Sequence, residues 1–238
     1  MTTRPTTNDT RFSVGRSFAL WAVCWVSGIL LGQIAFALTG HSGEASDLVP
    51  TSTTALSIVF LWAPFLIGLV LLSRSDGSGR FTADYRLRAR WIDVIGIPLG
   101  VVSQMVLVPV LYWALRQGWD NTFSADKVEQ RARDLWDRAD GVWVVVLVLV
   151  VAVGAPLVEE LVYRGLIQQA LQSRIKEVLA VFVAAAFFAA IHFQPVEFPG
   201  LFLFGLVLGV LYQRTGRLGA PILAHIAFNA AGLYLAAR

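Results

Sequence analysis

Apolar and polar positions along this chain fall into long alternating blocks rather than into a short period. Predominantly apolar runs occupy residues 17–38, 53–73, 91–115, 142–171 and 218–236, and two shorter ones occupy 178–193 and 199–213. A helix needs about 20 apolar residues to cross a hydrocarbon core. Five blocks meet or approach that length, and the shorter two read as helices partly enclosed by the others. The dyad alternation of a membrane barrel is missing, and only helices or closed barrels satisfy the backbone in lipid. The pattern predicts an all-α, polytopic integral membrane protein with about seven transmembrane helices. Residues 1–141 hold about three of them and an amphipathic connecting segment, and residues 142–238 form a second helical core.

Composition agrees: 56% of the 238 residues are hydrophobic and 15% charged, with a mean hydropathy of +0.65. The net charge of +3 rests on arginine, since Lys127 and Lys176 are the only lysines. These charges flank apolar blocks, so they report topology, and no nucleic-acid partner is expected. Arg11 and Arg16 precede the first block, residues 39–52 contain no Lys or Arg, and the next loop carries Arg74, Arg80, Arg86, Arg88 and Arg90. That asymmetry predicts a multi-pass protein of the cell membrane with a cytoplasmic N-terminus and an uncleaved first helix. The 116–141 segment, with five basic and six acidic residues, does not discriminate between the two sides. Cys24 is the only cysteine, which rules out an intrachain disulfide and reads as an inert packed thiol.

Ionisable residues inside the apolar blocks are few and cluster in the C-terminal half. "GAPLVEELVYRG" holds Glu159, Glu160 and Arg164; "FFAAIHF" holds His192; "LAHIAFNAAG" holds His225 and Asn229. Such groups are costly in a bilayer, normally face a protein interior and mark function. Spacing i to i+4 puts Glu160 on one face with Arg164, and His225 on one face with Asn229. Glu159 is turned ~100° from Glu160, so the two carboxylates are not expected to share neighbours. Gly154 and Pro156 can break or kink this helix, with Pro156 opening a new turn, which would leave the glutamates near a helix N-terminus. If residues near 175 form a hairpin turn, Glu159 and His192 lie at one height, about 25 Å from it. A bland reading stands beside the functional one: Glu160 and Arg164 as a buried ion pair, and "GLVLG" (205–209) as a close helix contact.

Three motifs carry a resemblance. "EELVYR", "FAAIH" and "HIAFN" read as EExxxR, FxxxH and HxxxN, in that order, and resemble the CAAX-protease and bacteriocin-processing (Abi) family of intramembrane endopeptidases over about residues 142–236. The resemblance implies hydrolysis of peptide bonds in a membrane-embedded peptide or small membrane protein. It implies that Glu159 and His192 activate water, that His225 and Asn229 stabilise the oxyanion, and that Glu160 and Arg164 hold the motif helix. No cofactor is favoured. Glu159, His192 and His225 could bind zinc, yet HExxH is absent and Asn229 stands where a second histidine of an i, i+4 pair would be. A non-catalytic scaffold or immunity protein binding a peptide in the cavity that Glu159, His192, His225 and Asn229 are expected to share is the alternative. A proton-coupled transporter is a third reading, weakened by the lack of repeated halves.

Overall fold

The computed structural model describes residues 12–44 and 48–238, and every regular element among them is helical. The longer elements are α1 (Val14–Leu38), α2 (Thr51–Ser75), α3 (Trp91–Trp119), α4 (Ala125–Asp137), α5 (Val142–Gln172), α6 (Glu177–Ala190), α7 (Phe198–Thr215) and α8 (Gly219–Ala236). All but α4 and α6 are long and apolar enough to cross a membrane, and α6 is a shorter apolar helix of 14 residues. The seven apolar blocks of the sequence are thus seven helices, the largest difference being α3, which ends at Trp119 instead of residue 115. Arg11, used in the charge asymmetry, falls outside the described residues.

Local chemistry sets the helix ends. Ser13 caps α1 by accepting a hydrogen bond from the Arg16 amide at 3.3 Å. Gly216 ends α7 in the left-handed conformation, φ 65°, where a Cβ would be strained.

Of the break or kink expected at Gly154 and Pro156, the break does not occur, and α5 runs unbroken from Val142 to Gln172. Gly154 is helical, and the turn before Pro156, Leu149–Gly154, widens into a π-helix. A π-turn absorbs the missing N–H and the ring clash of a proline without ending the helix. Pro109 in α3 follows a π-turn in the same way, Ser103–Leu107. The glutamates therefore sit in the middle of a helix, not at its N-terminus.

α5 is the central element and touches α1, α2, α6, α7 and α8. Glycines set how closely the outer pairs approach. A Cβ on Gly96 would lie 2.3 Å from the Ala220 carbonyl oxygen, and one on Gly100 would lie 2.0 Å from that of Ala224, so α3 and α8 meet backbone to backbone. In "GLVLG", a Cβ on Gly205 would meet Ala185 at 3.1 Å and one on Gly209 would meet Val181 at 2.9 Å, the close α6–α7 contact expected from the sequence. Cys24 is buried and packs beside Gly68, its thiol 3.2 Å from the Pro64 carbonyl oxygen.

The undiscriminating 116–141 segment acquires a place. α4 turns Val128, Ala132, Leu135 and Trp136 inward along one face, and it packs on α8. Arg131 pairs with Glu197 at 3.6 Å, and the Thr51 hydroxyl donates to the Arg138 carbonyl at 3.0 Å. α4 accordingly caps the bundle end where α2 begins, opposite the arginine-bearing loop that follows α2.

Candidate active site

From Glu160 to Gln168 α5 is π-helical and wholly buried. Two of its polar side chains reach backbone carbonyls of α7. Arg164 donates to the Gly205 carbonyl at 3.3 Å, and Gln168, four residues on, donates to that of Gly209 at 2.9 Å. The two glycines of "GLVLG" thus do more than pack, because their bare backbone leaves carbonyl oxygens open to a second donor. Gln169 donates to the Asp84 carbonyl and accepts from the Tyr212 hydroxyl, each at 2.9 Å.

Glu160 and Arg164 are 0% and 1% exposed and form the expected i, i+4 ion pair at 2.8 Å. The same Glu160 oxygen, Oε1, lies 2.8 Å from His225 Nδ1, while Oε2 has no hydrogen-bond partner. His225 Nε2 lies 3.7 Å from Glu159 Oε2, and the Glu159 side chain is 24% exposed. One imidazole therefore faces both adjacent carboxylates, against the expectation that they would not share neighbours. Neighbouring helical positions diverge, but the ring has a nitrogen on each side and bridges the gap. A carboxylate can only accept, so the proton on His225 Nδ1 is donated to Glu160.

His192 enters from the end of α6. Its Nδ1 lies 2.8 Å from the Phe188 carbonyl oxygen, which can only accept, so Nδ1 carries the proton and Nε2 remains open. The Phe188 ring links the cluster. His192 and His225 pack edge-on against it at 5.0 and 5.8 Å, and the Arg164 guanidinium lies 4.6 Å from its centroid. Phe188 is thus fully enclosed core. Tyr163 packs on the same ring at 5.4 Å, and its hydroxyl accepts a hydrogen bond from Trp21 of α1 at 3.3 Å.

Asn229, one turn beyond His225, donates from Nδ2 to the Val151 carbonyl at 2.8 Å. Val151 belongs to the π-turn before Pro156, where a carbonyl released from the regular ladder is open to a side chain. The fold thus gathers Glu159, Glu160, Arg164 and His225 into direct contact and brings His192 against the same Phe188. Among the described residues neither His192 nor Asn229 bonds to Glu159.

Among the described residues no group of three or more His, Cys, Asp or Glu side chains could hold an ion, whereas a catalytic zinc takes three protein ligands and an open position. Sequence reasoning missed Gly96 and Gly100, which seat the helix of His225 and Asn229; "GIPLG" (96–100) is a GxxxG pattern that could have signalled them. It also missed the Val151 carbonyl, which no side-chain pattern encodes.

No curated protein and no solved structure matches the chain. Residues 141–231, which include Glu159, Glu160, Arg164, His192, His225 and Asn229, match the family model described as type II CAAX prenyl endopeptidase Rce1-like, the resemblance that the three motifs carry.

Proposed function

We propose that this chain is an intramembrane endopeptidase that hydrolyses a peptide bond of a membrane-associated peptide or protein. The observation that carries the reading is His225 held between Glu159 and Glu160 inside an apolar bundle. A structural ion pair would need only Glu160 and Arg164. A second carboxylate, partly open and facing a fixed imidazole, is a feature for chemistry.

In the proposed reaction Glu159, assisted by the open Nε2 of His192, removes a proton from water. The resulting hydroxide attacks the scissile carbonyl carbon, and the π electrons move onto the carbonyl oxygen. His225 Nε2–H and the second amide hydrogen of Asn229 donate to that oxyanion. For this, the His225 ring carries both protons while Nδ1 stays on Glu160. The tetrahedral species then collapses, the C–N bond breaks, and the leaving amine takes the proton held by Glu159. Glu160 and Arg164 act as positioning residues for the imidazole. No step is routed through a metal.

The six membrane-length helices and the arginine asymmetry of the sequence support a multi-pass protein of the cell membrane with its N-terminus in the cytoplasm, substrate reaching Glu159 from the bilayer. The test is cleavage of membrane-anchored peptides, with and without a C-terminal prenyl group, by protein reconstituted in bilayers. Wild-type turnover abolished by Glu159→Gln in a folded protein supports the reading. Binding of peptide without cleavage by the wild type would replace it with the scaffold alternative.

A further inference from the structure

We propose that the groove between α6 and α7 binds an anionic phospholipid, its acyl chain along the groove and its phosphate at Arg214. The groove has a volume of about 310 Å³, with Val178, Phe182, Leu206 and Val210 on its walls and Gln213 and Arg214 at one end. Val178, Phe182 and Val210 are exposed large apolar residues on helices of a membrane bundle, so hydrocarbon is their natural neighbour. From Leu206 to Arg214 the groove spans about 12 Å along α7, most of the ~15 Å half-thickness of a hydrocarbon core.

Charge selects the headgroup. Arg214 lies in the last turn of α7, is exposed, and has no ion-pair partner among the described residues. Arg174 and Lys176, on the turn leading into α6, are exposed as well. Among the described residues the one carboxylate at this rim, Glu177, accepts a hydrogen bond from Gln213 at 2.8 Å. Three cations against one anion leave the rim positive, and a guanidinium matches a phosphate with two parallel donors. The positive-inside distribution explains why arginines lie at this end of the bundle. It does not require that one of them close an apolar groove.

The test is native mass spectrometry of the full chain offered phosphatidylglycerol or phosphatidylcholine with identical acyl chains. The wild type is expected to retain phosphatidylglycerol about fivefold better, the ratio one basic residue contributes at a charged bilayer surface. Arg214→Gln is expected to remove that preference, and Val210→Trp, which fills the groove, to remove retention. Arg80→Gln, an exposed arginine that does not line the groove, is the control and should leave the preference unchanged. Equal retention of the two lipids overturns the proposal. So does a wild-type-like result for Arg214→Gln or Val210→Trp, or a loss in Arg80→Gln equal to that in Arg214→Gln.

Discussion

His225 and Arg164 share a single oxygen atom: Oε1 of Glu160 lies 2.8 Å from Nδ1 of the one and 2.8 Å from Nη1 of the other. The ion pair on α5 and the imidazole on α8 are therefore one unit. Whatever fixes Arg164, including the Gly205 carbonyl and the Phe188 face, fixes His225 in turn.

This coupling separates the two glutamates experimentally. Glu159→Gln removes a carboxylate that is partly exposed and not part of the Arg164 pair. It should leave stability within about 1 kcal/mol and reduce turnover by at least ~100-fold. Parallel measurements of thermal unfolding and peptide cleavage read both effects, and a large loss of stability would contradict the assignment.

Glu160→Gln should damage both properties. Leaving Arg164 buried without its charge partner costs about 3–5 kcal/mol, and His225 loses the acceptor that orients it. The double variant Glu160→Leu with Arg164→Leu should recover part of the stability and none of the activity. A double-mutant cycle by denaturant unfolding measures the coupling, and recovery of cleavage in the double variant would refute the positioning role.

Asn229→Ala should lower kcat by about 100- to 1000-fold, with little change in KM, if its amide meets charge only in the transition state. Steady-state kinetics on one membrane-anchored peptide decide it. A rise in KM alone would make Asn229 a substrate-binding group.

Gly100→Ala should cost about 1–3 kcal/mol, because the new methyl would overlap the Ala224 carbonyl and push α8 away. Gly118→Ala, also in α3 but with nothing within 4 Å of its Cβ site, should be neutral or stabilising. Thermal unfolding of the pair checks the contrast, and cleavage should fall only in the first.

Chelation supplies a fifth check. With no three-residue donor set among the described residues, turnover should survive extended treatment with a chelator at undiminished rate. Loss of activity that added zinc restores would reverse this.

The helices were legible because apolar length is a one-dimensional property, so α2 and α5 could be bounded from the sequence to within about two residues. The grouping of Glu160 with Arg164 was legible for a similar reason, being local to one turn. What escaped depended on departures from the regular helix. A period of 3.6 residues placed Glu159 and Glu160 in different surroundings, yet the imidazole of His225 is wide enough to face both. Pro156 looked like a break because the sequence does not announce the π-turn before it. That same turn supplies the Val151 carbonyl to Asn229. Gly96 and Gly100 were passed over because their partner, α8, lies more than a hundred residues away in the chain.

The seating of Gly96 and Gly100 against α8 bears on how such a protein can be taken apart. The stretch recognised by the family model begins at residue 141, yet the surface that sets the depth of His225 lies before it. Grafted onto foreign anchoring helices, that stretch would keep every motif and lose its alignment.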